Sequence, residues 1–480
     1  MVEFAPMKGN LAVSLFACAL LVGCRSAPDV PNLGEIYSRA AAYHGELRHP
    51  VILIPGILGS RLTDAETGRV VWGAFAGDYA DPGDPNDARL TALPMRDGVP
   101  LRELRDGVEP DGALASLKVE FFGLPLVVKA YVNILRTLGV GGYRDEQLGM
   151  AGEVDYGDDH FTCFQFDYDW RRDNVENAQL LHEFIQEKRA YVQEEIEKRY
   201  GRREEDVKFD IVAHSMGGLI ARYYLRYGAE DLPVDGSLPP VTWAGKSHVE
   251  RLVLIATPNA GSVAALIQLV RGLRFAPILP SYPAGLLGTF PSIYQLLPRS
   301  RHSPLVAAAD NGIRIDDDIF SPDLWERMGW GLADRDQEAL LAALLPDESD
   351  PAVRRGIALD HLRKSLARAR QFAAALDQPA DPPGESILYL IAGDAVPTRQ
   401  VVAVDLRTGE LADVRSAPGD GTVLRTSALM DERVGGTWKP MLVSPIRWRH
   451  VTFLFSDHLG LTRDPAFTDN VLYLLLEDVR

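Results

Sequence analysis

The chain has 480 residues, 46% of them hydrophobic, with 50 basic against 67 acidic side chains and a formal net charge of −17. That is enough apolar material for a large core, or for a core with a cap. The acidic balance leaves no basic stripe to neutralise phosphates, which excludes nucleic acid as a partner.

Taken in order, the chain opens on a targeting segment. Lys8 precedes an apolar run over residues 11–22 that ends in Leu21-Val22-Gly23-Cys24. The run is too short to span a bilayer and suits a signal peptide. Small and apolar residues leading into Cys24 are similar to a bacterial lipobox, in which the cysteine becomes the lipidated first residue. Residues 1–23 are therefore expected to be a lipoprotein signal peptide, with a plain secretory signal as the alternative. Glu3 ahead of the basic region makes Met7 a cleaner start than Met1. Arg25, in place of a retaining aspartate, implies by resemblance the outer membrane. The expected location is a bacterial cell envelope, with the protein anchored by lipid. Residues 24–47 read as a polar tether. Of the three cysteines, Cys18 leaves with the signal and Cys24 is acylated. Cys163 is then alone, so no intramolecular disulfide is expected.

From residue 48 the pattern changes. VILIPG is a continuous apolar strand, of the kind buried on both faces of a parallel sheet. Residues 61–112 are rich in Asp, Gly and Pro, with apolar islands at Val70, Val71, Trp72 and Phe75. A long excursion of this kind is more often functional than idle, and its apolar cluster is expected to be exposed as a lipid-contacting surface. A helix is expected over 124–138, a strand over 161–167, and a long helix over 177–200 carrying Leu180, Leu181, Phe184, Ile185, Tyr191 and Ile196 on one stripe. After residues 208–227 comes a strand at 249–256. Strand alternating with helix argues an α/β class with a mainly parallel sheet flanked by helices. Residues 263–380 break the alternation and read as an inserted helical cap, with exposed apolar stretches over 268–296. Strand character returns at 386–392, with a hairpin arm at 401–405, a strand near 448–455 and a helix at about 468–476. The expected organisation is a first core part at 48–262 with a lid excursion at 61–112, the cap at 263–380, and a second core part at 381–480.

The informative stretch is KFDIVAHSMGGLIARYYLRY, residues 208–227. A short apolar strand runs into Ser215, then Gly217 and Gly218, then apolar residues at helical spacing. Strand, tight turn and helix with a serine at the turn is the context of a nucleophile elbow. The serine there is backbone-strained, so residues two positions away must be small, and Ala213 and Gly217 meet that need. A serine hydroxyl needs a base and oxyanion donors. The Met216 N–H, at the helix start, is placed to be one donor. In the α/β-hydrolase order the acid and the histidine follow the serine. Asp420, in the Gly-flanked turn Pro418-Gly419-Asp420-Gly421, is the expected acid. Asp394 competes, with Asp405 and Asp457 behind it. His458, in a loop before the last helix, is the expected base, and His450 competes from within a strand pattern. The ten histidines show no ligand spacing, so no metal and no cofactor are implied.

These motifs together resemble the lecithin:cholesterol acyltransferase-like lipases, which include the lysosomal phospholipase A2. The resemblance runs from about His49 to the end. It is carried by HPVILIPGILGSRL, Val71-Trp72, GGYRDE (141–146), YDWR (168–171), AHSMGG, ATPNAGS (256–262), AVPTR (395–399), GDGTV (419–423) and DHLGL (457–461). It implies an α/β-hydrolase fold with a lid and a cap. It also implies a triad of Ser215, Asp420 and His458, an oxyanion hole from the N–H groups of Ile57 and Met216, and Trp72 in a lid that meets lipid. The mammalian lid is stapled by a disulfide, whereas no cysteine lies in 60–90 here, so sterol handling is not carried over.

The activity implied is a lipid acyl hydrolase or O-acyltransferase working through an acyl-enzyme at a membrane surface. Its substrate is a phospholipid or other acyl lipid. A soluble-ester carboxylesterase on the same scaffold and a non-catalytic lipid-binding lipoprotein are the other two readings.

Overall fold

The apolar run VILI forms β1 (Val51–Ile54), all four residues buried, because both of its faces are covered. Ile52 and Ile54 join one apolar cluster, and Val51 and Leu53 join another on the opposite face. The other strands of the sheet are β2 (Cys163–Gln165), β3 (Phe209–His214), β4 (Val249–Ile255), β5 (Leu388–Gly393) and β6 (His450–Leu454). They lie in the order β6-β5-β4-β3-β1-β2, and every neighbouring pair is parallel. β3 and β4 repeat the two-sided pattern: Ile211 and Leu252 face one cluster, Val212 and Val253 the other. Each such side chain contributes roughly 1.5–3 kcal/mol on leaving water, which is why the strands read as unbroken apolar runs.

Helices cover the faces. On one lie α1 (Leu126–Val140) and α5 (Pro465–Leu476), with Ile134, Leu138, Phe467 and Val471 in the same cluster. On the other lie α2 (Asn174–Tyr200) and α3 (Met216–Tyr227). Asp173 caps α2 by accepting the Val175 N–H, and Gly201 ends it in the left-handed region at φ 66°. Leu181 and Ile185 of the expected α2 stripe are buried, whereas Leu180 points outward and is exposed.

The structure is a computed structural model and describes residues 31–45, 48–73, 79–113, 126–204, 206–274, 281–308, 313–315 and 317–478. The signal segment, Cys18, Cys24 and Phe75 lie outside the described residues. Among the described residues no helix is long and apolar enough to cross a membrane.

Three expectations need correction. The 61–112 excursion folds: Ser60–Asp64 pairs antiparallel with Val70–Trp72 on one side and Val108–Ala113 on the other. Arg69, at the start of that sheet, pairs with Asp87 on the helix Pro85–Thr91. Val70, Val71 and Trp72 are buried in the main core cluster, so the expected exposed patch is absent there. Of the apolar stretches over 268–296, Leu269 and the described residues from Ala284 to Leu296 are buried too, while 275–280 lie outside the described residues. Leu286, Phe290, Ile293 and Tyr294 pack in one cluster with Leu362, Leu366 and Phe372 of α4 (Pro351–Asp377), so the insert closes a continuous core with the sheet. Finally, part of the expected tether is docked. Leu33 and Tyr37 pack on Leu472 of α5, and the Tyr37 hydroxyl donates to Asp469 Oδ1 at 2.7 Å.

The hairpin arm is longer than its sequence pattern. Val396–Val404 runs antiparallel to Leu411–Gly419 and pairs with Leu305–Ala307 from the insert. That hairpin carries the chain from β5 to Asp420.

Candidate active site

In a parallel sheet all strands end at one edge, and loops from several strands converge there. Ser215 sits between β3 and α3 at φ 52° and ψ −123°, a backbone region that non-glycine residues rarely adopt. The surroundings leave no room for larger neighbours. A Cβ at Gly217 would lie 2.3 Å from the Pro55 carbonyl oxygen, and one at Gly218 would lie 2.0 Å from Thr257 Oγ1. At Gly56, in the loop after β1, an added Cβ would fall 2.8 Å from the Ser215 Cβ.

His458 Nε2 is 3.2 Å from Ser215 Oγ, and His458 Nδ1 is 2.8 Å from Asp420 Oδ2. The other Asp420 oxygen accepts the Thr422 and Val423 N–H groups at 2.9 and 2.6 Å. The His458 N–H donates to the Asp420 carbonyl at 2.8 Å, so the two residues are tied twice. Asp420 is 2% exposed and Ser215 7%, while the His458 side chain keeps 13% of its surface in solvent. A hydroxyl beside an imidazole that is itself held by a buried carboxylate can lose its proton to Nε2 as it attacks a carbonyl.

The competing residues are engaged elsewhere. Asp394 pairs with Arg425, whose guanidinium lies 3.6 Å over the Phe453 ring. Asp405 Oδ1 accepts the Arg407 N–H at 2.8 Å, and Asp457 Oδ1 accepts the Gly460 N–H at 2.8 Å, each closing its own turn. His450 is exposed at the opposite end of β6 from the loop that holds His458.

Met216 is the first residue of α3, where amide groups have no partner within the helix. Ile57 follows Gly56 on the loop after β1. The next residue, Leu58, holds φ 66°, and its carbonyl accepts the Trp72 indole N–H at 2.8 Å. Trp72 is 2% exposed and packs edge-on against Trp170 and Tyr282 at 5.6 and 5.8 Å between ring centroids. Its surroundings make it a prop under the loop after β1, not the exposed lipid contact expected from sequence. Trp72→Ser is therefore expected to lower turnover of a short soluble ester as much as turnover on vesicles. It should also cost roughly 3–5 kcal/mol of stability. Parallel rates on both substrates, with a thermal melt, test this; a loss confined to vesicles would restore the lipid-facing role.

Sequence reasoning missed the residues that hold these loops. Thr398 Oγ1 accepts the Gly421 N–H at 2.8 Å, and the Ser262 hydroxyl donates to the Thr422 carbonyl at 2.5 Å, so the Asp420 turn is clamped from two sides. Asn259 accepts from Arg222 at 3.0 Å and donates to the Ala428 carbonyl at 2.7 Å. The Asn259 and Ser262 contacts were hidden inside ATPNAGS, whose spacing carries no sign of a partner 160 residues away. Tyr131 and His214 touch the same site and were also missed. Among the described residues, no group of three His, Cys, Asp or Glu side chains is arranged to hold a metal ion. Cys163 is buried and unpaired.

Elbow, sheet order and the loops at its carboxyl edge define the class: an α/β-hydrolase. The family model of lecithin:cholesterol acyltransferase matches residues 152–322, and over that stretch, which holds the elbow, the chain is similar to that family. That makes it a serine hydrolase or acyltransferase. No curated protein matches it in sequence. A chain in the crystal structure of the Tle4–Tli4 complex superposes with a TM-score of 0.56 at 15% identity, covering 90% of this chain and 99% of that one. At that identity the likeness is one of fold. The mature Bacillus licheniformis lipase BlEst2 gives a TM-score of 0.29 at 12% identity, with 91% and 94% coverage. EstA from Clostridium botulinum gives 0.30 at 13%, with 90% and 88%. Those two superpose only loosely.

Proposed function

We propose that the protein transfers the acyl group of a phospholipid or other lipid ester through a covalent acyl-enzyme on Ser215. The observation that carries this is the hydrogen-bonded array Asp420–His458–Ser215, at 2.8 and 3.2 Å. His458 Nε2 takes the Ser215 proton as Oγ bonds to the ester carbonyl carbon. The carbonyl oxygen gathers negative charge between the N–H groups of Ile57 and Met216. His458 then returns the proton to the departing alcohol as the ester C–O bond breaks. Water or a second alcohol, deprotonated by His458, then attacks the acyl carbon, and His458 passes that proton to Ser215 Oγ as the bond from Oγ to the acyl group breaks, giving hydrolysis or O-acyl transfer. Asp420 keeps the Nδ1–H tautomer and stabilises the imidazolium.

The test is fluorophosphonate labelling of the purified protein, with the adduct mapped by peptide mass spectrometry, followed by lipid mass spectrometry after incubation with phosphatidylcholine vesicles with and without a sterol. A Ser215 adduct and free fatty acid or a new acyl ester are expected. No adduct on Ser215 would overturn the mechanism. The burial of Trp72 favours the soluble-ester carboxylesterase as second reading, and a rate that falls steadily with acyl chain length would select it.

Membrane attachment belongs to the same proposal. Acylated Cys24 supplies the anchor. Trp438 and Met441, exposed by 72% and 76% beside Lys439, supply apolar surface where Trp72 does not. Exported Cys24→Ser is expected in the soluble fraction; retention on membranes at high salt would remove the lipid anchor from the account.

A further inference from the structure

Two buried polar side chains at the site have no part in the proton transfers of the triad. Tyr131, on α1, is 1% exposed, and His214, the last residue of β3, is also 1% exposed. The Tyr131 hydroxyl accepts the Gly56 N–H at 2.7 Å and lies 3.2 Å from His214 Nδ1. His214 Nε2 lies 3.4 Å from the His458 carbonyl oxygen. The rings are in contact as well: the Tyr131 and His214 centroids are 5.6 Å apart, and those of His214 and His458 are 5.1 Å apart.

The proton assignment follows from what each atom can do. A carbonyl only accepts, so Nε2 of His214 carries the hydrogen. Burial, and then the nearness of His458, pushes the His214 pKa down to about 3, so the ring is neutral and Nδ1 is an acceptor. The Tyr131 hydroxyl therefore donates to Nδ1 while its oxygen accepts from Gly56. Burial raises the Tyr131 phenol as well, which keeps it protonated. The result is a single directed chain from the Gly56 amide through Tyr131 and His214 to the His458 carbonyl.

Its two ends are on loops that the sheet does not join. β1 and β6 are separated by β3, β4 and β5, so no ladder hydrogen bond sets the Gly56–Ile57 loop against the His458 loop. We propose that Tyr131 and His214 are positioning residues that lock the oxyanion loop to the loop of the general base across the back of the nucleophile. This rests on the roles proposed for Ser215, His458 and the Ile57 N–H. Catalysis needs the oxyanion donor and the base in register on one bound carbonyl, and a misplacement of about 1 Å can cost about a hundredfold. A buried tyrosine and histidine serving only the core would affect stability and leave the rate per folded molecule alone.

Tyr131→Phe keeps the ring and its packing, and removes only the hydroxyl. In stopped-flow assays with p-nitrophenyl butyrate, its acylation rate and kcat are expected to fall roughly tenfold to a hundredfold, with KM little changed. His214→Gln retains a donor near the Nε2 position, and is expected to be milder than His214→Leu. The two residues act as one chain, so Tyr131→Phe/His214→Leu should be no slower than the worse single variant. Wild-type kcat in Tyr131→Phe, losses that multiply in the double variant, or lowered melting temperatures with unchanged kcat per folded molecule would each overturn the coupling. In all three cases wild-type labelling of Ser215 stays intact, which separates this failure from that of the acyl-enzyme mechanism. Absence of wild-type labelling would remove both. If Tyr131→Phe fails to fold, the ranking of His214→Gln against His214→Leu decides.

Discussion

Ser215→Ala is expected to abolish turnover and fluorophosphonate labelling while leaving the fold almost untouched. The hydroxyl is the only atom the substitution removes, and its partner is His458 Nε2 at 3.2 Å, a group that solvent can reach. The strained backbone at φ 52° carries a Cβ in either case, so alanine meets the same sterics as serine there. The melting temperature should therefore move little. Members of a catalytic triad act as a unit, and loss of the nucleophile typically costs on the order of 10⁶ in kcat. The measurement is kcat on a p-nitrophenyl ester beside a thermal melt. A variant that keeps a tenth of wild-type activity would falsify the assignment of Ser215.

His458→Ala is expected to be as damaging as Ser215→Ala, and Asp420→Asn to cost about 10⁴ in kcat. The asparagine amide would present a donor to Nδ1, where the carboxylate accepts at 2.8 Å, and the imidazole would flip to the wrong tautomer. The turn amides of Thr422 and Val423 retain an acceptor in the amide oxygen. The effect should therefore fall on rate more than on stability. His450→Ala and Asp394→Asn are the controls. His450 is exposed, and Asp394→Asn weakens a half-exposed ion pair with Arg425 that is worth at most about 1 kcal/mol. Both controls should keep most of their activity. Losses of equal size in Asp420→Asn and Asp394→Asn would leave the acid unassigned, and a larger loss in His450→Ala than in His458→Ala would move the base.

Much of the frame could be read from local pattern. VILI, FDIVAH and VERLVLI are apolar without alternation because each strand is covered on both faces, and that alone points to a parallel sheet between helix layers. The elbow could be read because its constraints are local: a serine at a strand-to-helix turn with Gly217 and Gly218 behind it. The candidate Asp420 and His458 were legible because each sits in a short turn or loop beside a strand, in the chain order that the elbow sets.

Exposure was not legible. Val70, Val71 and Trp72 make the same apolar island whether they face lipid or pack beneath Trp170 and Tyr282, and sequence does not record what arrives on top. Leu286, Phe290, Ile293 and Tyr294 misled for the same reason: α4, from a later part of the chain, packs in the same cluster. The proton network around Ser215 was also decided only in three dimensions. Tyr131 and Gly56 are 75 residues apart, and His214 and the His458 carbonyl are 244 apart. A hydrogen bond depends on distance and direction in space, and neither has a sequence period. The chain's own order thus determined the sheet, the elbow and the candidate nucleophile, while packing decided which apolar residues are hidden and which polar atoms meet.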